Sequence, residues 1–368
     1  MMWFSIVSLL MFVGGILAQS SSGIVFTGPT SRNLKKNYFL FDKIIQHIKH
    51  YPNFFHLATA PKPNPPAQGN CRCVAVGTCN FGPTGIDIRI VNQGQQSCSS
   101  GQVWCCGVSG NIQSGCGIRK ITNAPVQPTG VAQFGSYPWQ VAILDLNDVY
   151  LGSGVLLSPD YVLTAAHKVY TYTSGNIILR MGEWDGTATT EPNPYRDYRP
   201  ASIVIHPNFN SQNLQNDVAI IRLTSSVPIS TSPNINTACF PTSSPATGTR
   251  CWVTGWGKNA FNGNYQAILK EVDVPIVDQA SCETRLRSTR LGQFFNLDRN
   301  SFICAGGEVG KDACTGDGGA PLVCQGGNGA WQVVGLVAWG IGCASGGVPG
   351  VYVNVFNFLP WITQQMGM

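Results

Sequence analysis

The sequence predicts an all-β protein closed by a C-terminal helix, and three observations carry that expectation. Short apolar stretches recur between turns from residue 121 onward: "WQVAIL", "YVLTAAH", "IILRMG", "ASIVIH", "DVAIIRL", "WQVVGLVAWG" and "GVYVNV". Their length and their enrichment in Val, Ile and aromatic residues suit strands rather than helices. The 42 glycines and 23 prolines supply many turn positions and argue against long helices. The last stretch, "FNFLPWITQQM", reads as a C-terminal helix, with Pro360 placed by the sequence near its first turn. Evenly spaced strands of this kind indicate a barrel or a sandwich.

Ahead of this region the chain falls into four segments. Residues 1–18, apolar from Trp3 to Leu17 and ending in small residues, read as a signal peptide cut near Ala18. Residues 19–66 form a variable N-terminal segment and proline-rich linker. Within them "FLFDKIIQHIKHY" places Leu40, Ile44 and Ile48 four apart, as in a short amphipathic helix stopped before Pro52. Residues 67–107 hold six cysteines and are too short to fold on a hydrophobic core alone, so disulfides must staple them. Here "GIDIRIV" alternates as a strand does. Residues 108–120 are a linker, and 121–368 form the main domain.

Composition narrows the function class. Charged residues are 11% and apolar residues 43%, enough for a sizeable core. The net charge of +5 is spread out, which disfavours a nucleic-acid partner. Arg285, Arg287 and Arg290 read as a solvated basic loop. No stretch after the leader is long and apolar enough to span a membrane, so a secreted protein is expected. Fourteen cysteines then fit an oxidising compartment and disulfides rather than zinc, because no paired C-x-x-C knuckles with histidines are present. Spacing alone leaves the fifteen connectivities of the six-cysteine segment open.

The spacing of Cys71, Cys73, Cys79, Cys98 and the adjacent Cys105 and Cys106 resembles the arthropod clip domain. From about Ile121 to the end, "YPWQVAIL", "LTAAH", "NDVAIIRL", "CWVTGWG", "DACTGDGGAPLVC", "VAWG" and "PGVYVNV" occur in the order found in chymotrypsin-like serine proteases. The two resemblances imply a double β-barrel with a C-terminal helix, preceded by a small disulfide-stapled clip domain. The clip resemblance implies the pairs Cys71–Cys105, Cys73–Cys98 and Cys79–Cys106. The protease resemblance implies Cys251–Cys324, Cys282–Cys304 and Cys314–Cys343 within the main domain, and Cys116–Cys239 as a tether from the linker. Together these account for all fourteen cysteines.

The protease resemblance also assigns positions for chemistry. His167 takes the place of the general base, Asp217 that of the acid orienting it, and Gly318 that of the nucleophile. Glycine offers no hydroxyl for that base to activate, so no useful hydrolysis is expected. Thr315 is the nearest hydroxyl in the loop and is three residues away. Other parts survive: the N–H groups of Gly316 and Gly318 correspond to the oxyanion hole, and Asp312 with Gly340 and Gly350 to a pocket for Arg or Lys. Two departures compound the loss. Ala320 brings a methyl to the nucleophile loop where the family has none. Lys168 and Gly152 stand where a cysteine pair braces the histidine loop. Cleavage is expected at Lys120–Ile121, whose new amine would pair with Asp317, or at Arg89–Ile90 in the clip. The acids Glu183, Asp185 and Glu191 suggest either a calcium loop, as in some relatives, or a solvated loop; no other cofactor or metal site is read.

The combination resembles the non-catalytic clip-domain serine protease homologues of arthropod haemolymph. That likeness implies a secreted pseudoprotease acting as a cofactor in prophenoloxidase activation and melanisation. Its partners would be clip-domain serine proteases and prophenoloxidase or similar haemolymph proteins, with homo-oligomers after cleavage. A venom-type decoy that blunts melanisation and an adhesion or microbe-recognition protein are the alternatives; an active trypsin-like endopeptidase stands last.

Overall fold

A computed structural model describes residues 115–260, 263–343 and 346–368, together with the backbone of two strands at 71–75 and 102–106. Those two, β1 (Cys71–Ala75) and β2 (Gln102–Cys106), form an antiparallel pair with Cys71 opposite Cys106 and Cys73 opposite Trp104. The leader, the 39–51 helix, the "GIDIRIV" strand, the Arg89–Ile90 bond and the three clip disulfides lie outside the described residues.

The main domain is built from two curled antiparallel sheets. The first contains β3 (Gln140–Asp145), β4 (Tyr150–Ser158), β5 (Tyr161–Thr164), β6 (Ile177–Met181), β7 (Arg196–Tyr198), β8 (Pro200–Ile205) and β9 (Ala219–Leu223), in the order β7-β6-β3-β4-β5-β9-β8. The second is a closed barrel of β10 (Arg250–Gly255), β11 (Lys270–Val277), β12 (Phe302–Gly306), β13 (Pro321–Gln325), β14 (Trp331–Trp339) and β15 (Pro349–Asn354). Closure removes the free edges of the second sheet. The first core centres on Val141, Ile143, Leu156, Leu179 and Ile221, the second on Val253, Ile303, Leu322 and Tyr352, all buried. Between them lies a third cluster containing Trp139 and Trp256, neither of which is exposed at all.

A polar chain ties the two halves beside this cluster. Gln140 donates to Ser153 Oγ at 3.0 Å and accepts from Thr254 Oγ1 at 2.8 Å, so it bridges β3, β4 and β10. These groups are buried, and each would carry an unpaid desolvation cost without its partner.

Three α-helices among the described residues complete the main domain. The single turn α1 (Ala166–Val169) follows β5. The helix α2 (Gln279–Arg287) starts at Asp278, whose carboxylate accepts from the N–H of Ser281 at 2.9 Å. Arg285 and Arg287 lie in its last turn, so two members of the basic cluster sit on a helix rather than in a loop. Arg287 pairs with Glu283 at 2.6 Å, one turn earlier. The C-terminal α3 (Val355–Met366) begins before the stretch read from the sequence, which makes Pro360 its sixth residue rather than a first-turn proline. Val355, Phe358 and Ile362 face inward and hold the helix to the body despite the missing N–H.

Candidate functional site

Strand register creates the site. Pairing of Thr164 with Ala219 at the end of β5 and the start of β9 brings α1 alongside the residues preceding β9. His167 and Asp217, fifty residues apart, therefore meet. His167 Nδ1 and Asp217 Oδ2 are 2.6 Å apart, and Asp217 Oδ1 accepts the main-chain N–H of His167 at 2.7 Å. The Asp217 side chain is wholly buried, while 23% of the His167 side chain is exposed. A carboxylate gripping both ring and backbone fixes the imidazole, with Nε2 turned the other way.

Nε2 faces Gly318. A Cβ placed on Gly318 would lie 2.6 Å from His167 Nε2 and 2.7 Å from Lys168 Cδ, closer than real Cβ atoms approach their neighbours. The Lys168 chain also runs past Gly152: its Cε crowds the point where a Cβ of Gly152 would stand. A lysine stem thus fills the slot between Gly152 and Gly318. Burial lowers the pKa of Lys168, a tendency opposed by the charges of Asp317 and Asp217. The Gly152 slot is closed from a second side as well, by the carbonyl oxygen of Gly318 at 2.8 Å. That carbonyl accepts the N–H of Ser153 at 3.0 Å. Reinstating cysteines at 152 and 168 is therefore more than a reversal of two letters.

The loop before β13 is held tightly. Gly319 has φ +79°, a left-handed conformation that glycine tolerates, and any Cβ there would strike Ser153 O and Thr164 Oγ1. Ala320 departs from its expected place. Its methyl is fully buried in the second core, with Leu322 and Tyr352, and does not line the site. Asp317 turns inward: Oδ1 accepts from Gly257 N–H and Oδ2 from Cys314 N–H, both at 2.9 Å. Although the residue as a whole keeps some exposure, its carboxyl end is desolvated, and burial raises its pKa to about 6 against the pull of the two N–H donors and Lys168.

Beside this loop opens a cavity of about 360 Å³ whose walls include His167, Lys168, Gly316, Gly318, Asp312, Gly340 and Gly350. Every residue assigned from the sequence to the remnant triad, the oxyanion N–H pair and the basic pocket thus contributes to one cavity except Asp217, which lies behind His167. Gly350 keeps the way to the acid open: a Cβ there would come to 3.0 Å from Asp312 Oδ1. Near Gly340 a Cβ would meet only Gly342 O, at 3.7 Å. Burial, and then the Asp312 carboxylate, push the Tyr352 hydroxyl well above its usual pKa. Cys314 and Cys343, both in the cavity wall, are joined by a disulfide. Bonds also join Cys116 to Cys239, Cys251 to Cys324 and Cys282 to Cys304.

Beside the acidic loop lies a residue that sequence reasoning missed. Arg180, fully buried one residue before the end of β6, pairs with Asp148 at 3.0 Å, Asp197 at 2.7 Å and Glu183 at 3.7 Å. Its guanidinium also lies 3.9 Å from the centre of the Tyr195 ring. Burial and the neighbouring Glu191 raise the pKa of Glu183. Asp185 instead accepts from Thr187 Oγ1 at 2.7 Å. Among the described residues, no group of three or more His, Cys, Asp or Glu is placed to hold a metal. The available signal was an arginine inside an otherwise apolar strand, with a glutamate three residues on.

Residues 128–362 match the family model described as Trypsin. The chain belongs to the trypsin family. Within it, the chain is a clip-domain serine protease homologue. It is 48% identical over 320 residues to the Inactive CLIP domain-containing serine protease A3 of Aedes aegypti, covering 81% of this chain and 67% of that protein. It is 44% identical over 276 residues to Phenoloxidase-activating factor 2 of Galleria mellonella, covering 69% and 89% respectively. It is 38% identical over 263 residues to the Inactive CLIP domain-containing serine protease A8 of Anopheles gambiae, covering 68% and 71%. No helix among the described residues of this homologue is long and apolar enough to cross a membrane.

Proposed function

We propose that this protein is a secreted pseudoprotease that binds and positions other proteins in a cascade controlling phenoloxidase. The observation that carries the reading is Gly318 beside His167 Nε2: a positioned base faces a residue with no hydroxyl to activate. The names of two relatives, both called inactive serine proteases, support a non-catalytic role, and a third relative named Phenoloxidase-activating factor supports the cascade.

On this reading the cavity keeps its recognition parts. Asp312 at the end of a glycine-walled channel offers a carboxylate to an arginine or lysine side chain, and the N–H groups of Gly316 and Gly318 offer donors to a carbonyl. Recognition without attack yields a stable complex rather than products. The test is reconstitution. Prophenoloxidase and an active clip-domain protease are mixed with and without this chain, and phenoloxidase activity is followed. Activity should rise severalfold only when the chain is present. No change would reject the cofactor role, and a fall would assign an inhibitory one.

A further inference from the structure

The resemblance implies a cut at Lys120–Ile121, yet the residues leading to that bond are tied to the body of the domain, with Ile118 and Lys120 keeping exposed surface. Cys116 is bonded to Cys239. Gly117 donates its N–H to Thr237 O at 2.7 Å, and its carbonyl accepts from Trp331 N–H at 3.0 Å. Asn236 Nδ2 donates to the carbonyls of Gly115 and Ile118, each at 2.9 Å. The Arg119 guanidinium lies 4.9 Å from the Tyr137 ring centre and 4.6 Å from that of Trp331, so it stacks on one aromatic preceding β3 and another in β14. The Lys120 ammonium donates to the carbonyls of Ser232 at 3.0 Å, Ile235 at 2.9 Å and Ile229. Ile121 packs on Gly135, where a Cβ would stand 2.7 Å from its Cδ1.

Both basic side chains preceding the junction are thus engaged, one by two aromatic rings and one by three carbonyls. A trypsin-class protease needs the basic side chain free to enter its own pocket and several residues on either side drawn out into an extended strand. Neither is available without local opening, which must break the carbonyl cage and the ring stack together. The other end of the expected switch is also occupied, since Asp317 already accepts two main-chain N–H groups with no new amine.

We propose that residues 115–121 form a clasp across the two barrels, which shields the Lys120–Ile121 bond from trypsin-class proteases and leaves the uncut chain as the working form at this junction. This does not depend on the role given to the cavity, because residues 115–121 do not line it and the readout is different.

The test compares cutting rates. The full chain, natively folded, is treated with trace trypsin alongside a peptide spanning residues 113–127 that carries Cys116→Ser, and alongside the reduced, urea-unfolded chain. New ends at Lys120 and Ile121 are counted by mass spectrometry after reduction. The folded chain should be cut at these two bonds at least about 100-fold more slowly than the peptide, and the unfolded chain at rates close to the peptide's. Arg119→Gln, which removes the stacked charge and leaves Lys120 in place, should speed cutting after Lys120 by about tenfold without loss of the folded transition. A folded wild-type chain cut as fast as the peptide would overturn the proposal. So would an Arg119→Gln chain cut no faster than wild type, since the stack would then hold nothing.

Discussion

Restoring the hydroxyl with Gly318→Ser is the sharpest perturbation of the site. The new Cβ must sit 2.6 Å from His167 Nε2 and 2.7 Å from Lys168 Cδ unless one of them moves. His167 is held by two bonds to a fully buried Asp217, and the Lys168 stem is wedged between Gly152 and Gly318. Overpacking of this kind costs about 1–3 kcal/mol, which for a domain of this size lowers Tm by about 2–12 °C. The cost is paid by the imidazole whose position general-base catalysis requires, and a misplacement of about 1 Å can cost about 10² in rate. Gly318→Ser should therefore melt earlier than wild type and turn over an arginine-terminated chromogenic substrate barely above background. Gly318→Ser with Lys168→Ala removes one of the two collisions; it should recover part of the Tm loss and hydrolyse at least about tenfold faster than the single variant. Differential scanning calorimetry and a steady-state assay on the same preparations read both. A single variant with unchanged Tm and trypsin-like turnover would show that the slot was never obstructed and that the reasoning fails.

Two further outcomes follow from buried charge. Asp317 has a folded pKa of about 6, above that of an ordinary carboxyl, so between about pH 4 and 6 the folded chain holds a proton that the unfolded chain has released. Stability from this group is therefore lost as pH rises through that window, by up to about 3 kcal/mol; urea titrations at pH 4.5 and 6.5 should show Asp317→Asn losing this part of the dependence, and identical slopes for both chains would refute it. Arg180→Met leaves the buried Glu183 and its neighbours Asp148 and Asp197 without their cation, and should cost about 3–5 kcal/mol, a Tm drop of about 10 °C; a change below about 1 kcal/mol would mean the cluster contributes no stability.

Much of the fold was legible because strands and turns are local. The stretches "WQVAIL", "DVAIIRL" and "GVYVNV" cover the strands β3, β9 and β15 to within one residue at an end, since buried β-branched runs between turns admit few other conformations. The meeting of His167 and Asp217 was legible only through motif likeness, because it depends on the β5–β9 register and not on anything within either segment. What could not be read is what depends on three-dimensional approach. The sequence marks Lys168 as an oddity, but its burial follows from two glycine backbones leaving a slot that its stem fills. Ala320 looked like a site residue by its place in the loop, and proved a core residue because the chain reverses at Gly319. Arg180 read as one polar letter in a strand, because its three partners come from a turn, a loop and a neighbouring strand. The engagement of Arg119 and Lys120 was hidden for the same reason: their rings and carbonyls lie more than a hundred residues away, apart from Tyr137.

The central claim, recognition without cutting, is tested most directly by incubating the chain at stoichiometric concentration with a peptidyl-arginine amide. Binding is followed by displacement of a fluorescent benzamidine, and the peptide and protein masses by mass spectrometry. The account predicts saturable binding that weakens at least about tenfold in Asp312→Ala, an intact peptide after prolonged incubation, and no covalent adduct on the protein. A burst of product equal to the protein concentration, or an acyl adduct on the chain, would contradict the claim of no cutting; binding unaffected by Asp312→Ala, or none at all, would contradict the claim of recognition.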